Sequence, residues 1–184
     1  MSSGQGAAVA TTCELIAKNV LGSDTATVTF SSIPGTGYTD LLVYLSGRSD
    51  RSGQIEDSLK WQFNSDTGSN YSYKVLYGNG STTYSDGQSS VAYDSIWGVL
   101  PAATATASTF GNVSIYIPNY AGSTNKSSSA EGCGESNTAS GPLVCASAAI
   151  WSSTAAITSV KLFPYHGSNF KSGSSFYLFG ITKS

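Results

Sequence analysis

A strand-and-turn rhythm constrains this chain more than any other feature. From Thr11 onward, short runs rich in β-branched and aromatic residues alternate with clusters of Gly, Asn, Asp and Ser. The runs that read as strands are Cys13–Val20, Thr25–Phe30, Asp40–Ser46, Leu59–Phe63, Tyr71–Leu76, Val91–Val99, Asn112–Ile117, Val144–Ile150, Ala156–Phe163 and Ser175–Ile181. Ala26, Val28 and Phe30 share one face of their run; Val113, Ile115 and Ile117 share one face of theirs, with Ser114 and Tyr116 opposite. The best helix candidate, Thr11–Leu21, fails because Leu15 and Val20 form no helical stripe and Gly22-Ser23-Asp24 reads as a hairpin turn. Strands at short spacing, with no helices for βαβ crossovers, predict an all-β chain. The expected fold is an antiparallel two-sheet sandwich, jelly-roll-like, in a single domain over residues 11–184.

The segment Ile33–Arg48 packs two turns and a strand into one run. Pro34 fixes φ, Gly35 and Gly37 permit positive φ, and Leu41 to Leu45 is too short for a helix and too apolar for a loop. Two stretches break the rhythm. Gly78–Thr83 reads as a flexible loop, and Ser123–Gly141 as a longer polar insert containing Cys133. Residues 1–10 are small and polar and read as a flexible N-terminal arm.

Charged residues make up 11% of the chain, well below the roughly 25% usual in soluble domains. Ser, Thr, Gly, Asn and Tyr fill the gap. Nine Lys and Arg are scattered singly and the formal net charge is −2, so the chain carries no electrostatic footprint for nucleic acid. No apolar run approaches the roughly 20 residues of a membrane helix. Met1–Gly6 offers neither the basic region nor the apolar core of a signal peptide, which points to folding in a reducing cytosol. Of three cysteines at least one is unpaired within the monomer. Cys133 and Cys145 could close a loop, but free thiols suit that compartment better, and the spacing fits no zinc pattern.

Candidate chemistry is sparse. His166, the sole histidine, lies in Pro164–Ser168, where a solvent-exposed turn is the simplest reading, and no Ser sits in a nucleophile elbow. The nominal carboxylate pairs are Glu56 with Asp57 and Glu131 with Glu135. Neighbours in a strand point to opposite faces, and the second pair lies in the polar insert, so surface charge explains both. Asn64–Asn70 faintly resembles a calcium loop but lacks acidic density and a closing glutamate; it reads as a hairpin loop with Asx turns. Tyr71, Tyr73 and Tyr77 share a strand face, either exposed as a stacking ladder or half-buried as the sheet's own surface. Trp61, Trp97 and Trp151 read as core. No catalytic, cofactor-binding or metal-binding residue is expected, and no cofactor.

The run Ser32–Leu41 resembles one in virion proteins of tailed bacteriophages. The resemblance continues in Ser46-Gly47-Arg48, Phe63–Tyr73, Ile115–Gly122 and the ending Gly173–Ile181, in order over nearly the whole chain. One extra residue separates Pro34 from Tyr38 relative to that pattern. The resemblance implies a jelly-roll-like module without catalytic residues, located in the virion and assembled in the host cytoplasm. The first expectation is a capsid decoration (cement) protein, a homotrimer contacting the major capsid protein or other virion proteins, with the tyrosine face packing between copies and residues 1–10 gripping the shell. The alternative is a tail-fibre or receptor-binding module recognising host surface carbohydrate. Neither reading involves nucleic acid or membrane.

Overall fold

A computed structural model describes residues 12–135, 137 and 143–182. Twelve strands and no helix occur among them: β1 (Cys13–Val20), β2 (Val28–Phe30), β3 (Asp40–Gly47), β4 (Glu56–Phe63), β5 (Tyr71–Gly78), β6 (Thr83–Val91), β7 (Asp94–Pro101), β8 (Gly111–Ile117), β9 (Lys126–Gly134), β10 (Leu143–Trp151), β11 (Val160–Pro164) and β12 (Ser175–Ile181). They form two antiparallel sheets. The large one has eight strands in the order β1-β12-β3-β8-β9-β10-β5-β6, and the small one has four in the order β2-β11-β4-β7. The chain is a single-domain β-sandwich, as the strand rhythm predicts. The arm expected over residues 1–10 lies outside the described residues.

The period-2 pattern explains the layering. Val113, Ile115 and Ile117 of β8, Leu41, Val43 and Leu45 of β3, and Phe176 and Leu178 of β12 all point inward and are buried. They meet Leu59, Trp61 and Phe63 of β4 and Val160 and Leu162 of β11 in one core. Each such side chain contributes about 1.5–3 kcal/mol on leaving water. The turn before β3 is pinned by Ile33, which is buried and donates its N–H to the Thr158 carbonyl at 3.0 Å. The Tyr120 hydroxyl donates to the Pro34 carbonyl, and Gly37 takes φ 96°.

Several expectations are corrected. Ser123–Gly141 is not simply a polar insert, because β9 runs through it and pairs with both β8 and β10. Residues 83–90, assigned to no strand, belong with Val91 to the edge strand β6, so Gly78–Thr83 is a tight hairpin connection. Within it the Asn79 side-chain oxygen accepts the N–H groups of Ser81 and Thr82 at 3.1 and 2.9 Å. Val91–Val99 is broken at Ala92 and Tyr93, which separate β6 from β7. The first residues of Thr25–Phe30 and Ala156–Phe163 stand outside β2 and β11.

The missed strand β9 has a physical cause. Its inward positions are Ser128, Ala130, Gly132 and Gly134, and β7 rests directly on that surface. A Cβ on Gly134 would lie 2.3 Å from the Gly98 carbonyl oxygen, and one on Gly132 2.9 Å from a Val99 methyl. The backbone approach that makes this part of the core removes the bulky residues by which strands are recognised.

Candidate functional site

The small sheet covers only the inner face of the large one. Register shows what the other face presents. One row across the strands reads Lys18, Tyr177, Tyr44, Ser114, Glu131, Ala146, Leu76, Ser85. The next row reads Leu15, Phe179, Leu42, Tyr116, Ser129, Ala148, Lys74, Gly87. A third passes through Val20, Ser46, Asn112, Cys133 and Val144.

Of nine large hydrophobic side chains exposed among the described residues, seven lie on this face: Leu15, Val20, Tyr44, Leu76, Tyr116, Val144 and Ile150. Val144 is 67% exposed and Leu76 58%. A solvated sheet face ordinarily alternates to polar residues, so such a patch marks an interaction surface. Its relief is uneven. Aromatic side chains stand on β12, β3 and β8, with the T-shaped pair Tyr44–Phe179 at 6.1 Å between centroids. At the centre of β9 and β10 stand Ser129, Ala146 and Ala148, with Glu131 beside them and the exposed Val144 and Ile150 towards the two ends of β10. Open hollows of about 330, 330 and 360 Å³ follow one another along the first row, from Tyr44 and Asn112 through Ser114 and Glu131 to Ala146 and Leu76.

The sequence candidates fall elsewhere or do not combine. Tyr71 and Tyr73 point inward and are buried, and Tyr77 is half-buried with its ring stacked on Tyr84 at 4.9 Å. They form no exposed ladder, so the tyrosine face expected between copies is internal. The Tyr71 hydroxyl accepts the Phe63 N–H at 2.9 Å, and burial pushes the Tyr73 phenol up to about 12. The exposed tyrosines of the open face are Tyr44 and Tyr116, on different strands, which only the register unites. The signal available was the position of Tyr116 opposite the apolar face of its own strand.

Asp57 is buried and accepts the N–H groups of Ser58, His166 and Gly167 at 2.8, 3.2 and 2.9 Å. It anchors the turn after β11, while half-buried Glu56 is held above the usual carboxylate range by burial, opposed by Arg51. His166 is exposed and its ring packs at a tilt against Tyr165, with 4.4 Å between centroids; partial desolvation and then the Arg51 charge depress its pKa. Glu131 and Glu135 are both exposed. Four positions along an extended chain separate them by about 13 Å, beyond the roughly 5–9.5 Å of paired glycosidase carboxylates.

Asn64–Asn70 is the expected Asx-turn loop. Asp66 accepts the Gly68 N–H at 2.8 Å, Asn70 Nδ2 at 2.9 Å and Trp151 Nε1 at 2.7 Å, and the Trp151 bond leads in lowering its pKa. These bonds brace the loop against β10. Trp61 and Trp151 are core and Trp97 is half-buried. Among the described residues no group of three His, Cys, Asp or Glu is placed to hold a metal. All three cysteines are free. Cys133 faces outward beside Val144 while Cys145 is buried on the inner face, so the pair cannot bridge.

No protein-family model matches the chain, and no curated protein is similar to it in sequence. Among solved structures it is similar to scytalido-glutamic peptidase bound to a transition-state analogue, at 10% identity and TM-score 0.26 over 79% of this chain and 66% of that one, just under two thirds of the peptidase. The eqolisin-family peptidase SCP-B, in complex with a tripeptide, is similar at 11% identity and TM-score 0.23 over 88% of this chain and 65% of that one. The CBM2 module of the evolved Dit of Lactobacillus casei BL23 phage J-1 is similar at 9% identity and TM-score 0.17 over 86% and 69%. At these scores no activity is carried from any of them to this chain.

Proposed function

We propose that this chain is a non-enzymatic structural protein of a tailed-phage virion, most specifically a capsid decoration (cement) protein that stabilises the head shell by protein–protein contacts. The observation that carries the reading is the open face of the large sheet, where exposed apolar side chains from five strands meet three exposed charged ones, Lys18, Lys74 and Glu131, and a buried Asp40 that accepts the Tyr116 hydroxyl. Such a surface suits burial against protein better than capture of a charged metabolite. Its partners would be the major capsid protein or other virion proteins. Counting copies in purified particles tests the proposal: hundreds per particle support it, and a handful or none overturn it.

One observation favours a second reading. Tyr44 and Tyr116 flank hollows also lined by Asn112, Ser114 and Glu131, which combines rings for stacking with groups for hydrogen bonding to a glycan. A tail-fibre or receptor-binding module would use them so. Purified protein that binds neither host cells nor their surface polysaccharide would sink this alternative.

A further inference from the structure

We propose that the open face of the large sheet is an isologous dimer interface, closed by a second copy of this chain stacked face to face along a two-fold axis parallel to the strands. The proposal goes beyond the virion reading and does not require it; a face closed by a second copy makes self-association the contact made there and leaves other virion proteins to the remaining surfaces.

Size is the first argument. Eight strands at about 4.8 Å spacing and about seven residues at 3.3 Å rise make a face of about 900 Å². Two such faces at full overlap bury about 1,800 Å², within the standard range for stable protein complexes.

Relief is the second. The midline of the large sheet falls between β8 and β9, the fourth and fifth of its eight strands. A two-fold axis along that line lays β8 over the partner's β9, β3 over its β10, and β12 over its β5. In the two middle rows the aromatic side chains of β3 and β8 in each copy then meet the Ala and Ser positions of β10 and β9 in the other. By row, Tyr44 comes over Ala146, Leu42 over Ala148 and Tyr116 over Ser129. The aromatic ridge fills the trough that is hollow in one copy alone.

Charge is the third. The same operation sets Lys74 against the ring of Phe179, Glu131 against the Ser114 hydroxyl and Lys18 against Ser85. None of the three exposed charges lies directly opposite another, the two Glu131 copies flank the axis one strand spacing apart with each facing the other copy's Ser114, and the lysine over a ring is a favourable contact. Sheet twist turns aligned layers by about 30°, so these pairings hold best near the axis, where Tyr116, Ser129, Tyr44 and Ala146 lie.

The test is sedimentation equilibrium of the full chain at micromolar concentration, on wild type, Ala146→Arg and Thr29→Arg. Ala146 is exposed on the trough floor, and Thr29 is exposed on the small sheet. Wild type and Thr29→Arg are expected at twice the 19.0 kDa chain mass, and Ala146→Arg at the single-chain mass with an unchanged far-UV circular dichroism spectrum. Wild type at single-chain mass overturns the proposal, as does a trimer or a dimer that survives Ala146→Arg. Should Ala146→Arg fail to fold, Tyr44→Ser, at an exposed position on the ridge, is expected to weaken the dimer at least tenfold; unchanged self-affinity there overturns it equally. A monomer that binds surface polysaccharide through this face would give the face to sugar instead.

Discussion

Arg48 Nη2 donates to the Ala102 carbonyl oxygen at 2.7 Å, joining the end of β3 to a loop 54 residues further along the chain. The same guanidinium donates to the carbonyls of Ala105 at 2.9 Å and Thr106 at 2.8 Å and to the Thr109 hydroxyl at 3.0 Å. The Arg48 side chain is nearly buried, and its planar fork holds the β7–β8 loop against the sandwich. Arg48→Met strips these carbonyls of their donor and is expected to cost about 2–4 kcal/mol in urea unfolding. Arg48→Lys should recover less than half, since one ammonium cannot span the carbonyls. A loss below about 1 kcal/mol for Arg48→Met would show that the loop holds itself.

The contact between β7 and β8 gives a sharper steric prediction. A Cβ on Gly111 would sit 1.8 Å from the Val99 carbonyl oxygen, a backbone atom that cannot swing aside. Gly111→Ala is expected to cost about 3 kcal/mol or more. Gly22→Ala, with nothing within 4 Å of its Cβ position, should leave the melting temperature almost unchanged. Equal effects of the two substitutions would deny that β7 lies directly on β8.

The parts of the fold legible in the sequence are those where side chains do the packing. Val113, Ile115 and Ile117 alternate with Ser114 and Tyr116, and the structure buries the first set and leaves the second on the open face. Cys13–Val20 and Ser175–Ile181 have the limits read from their residues. Legibility fails where backbone packs on backbone, as at Gly132 and Gly134 of β9, and on the polar edge strand β6, which needs no apolar pattern. The open face was hidden for another reason. Tyr44, Tyr116, Val144 and Leu76 sit on four strands, and only register makes them neighbours.

Leu178 tests the core through one residue. It is fully buried on β12, between β1 and β3 in the large sheet. Leu178→Ala is expected to cost about 2–5 kcal/mol. Leu178→Asp adds a buried charge and should abolish cooperative unfolding altogether. A soluble Leu178→Asp protein with a sharp thermal transition would contradict the burial of this strand.

Asp94 predicts how stability follows pH. It is buried between the sheets, where it accepts the Ser128 hydroxyl at 2.6 Å and the Ser95 N–H at 2.7 Å. Burial outweighs those bonds and pushes its carboxyl up to about 7. An aspartate in the unfolded chain titrates near about 3.9. Between the two values the folded protein keeps a proton that the unfolded chain releases. The contribution is therefore whole below the unfolded pKa, declines as pH rises through the window, and levels off above the folded pKa. Tyr71 and Tyr73, whose own pKa values are raised by burial, stay protonated across that range. Asp94→Asn keeps an acceptor for Ser128 and removes the titration. Wild type should lose stability relative to Asp94→Asn between about pH 4 and 7, by on the order of a few kcal/mol. Urea midpoints that move in parallel for the two proteins across that window would show that Asp94 is not the group responsible.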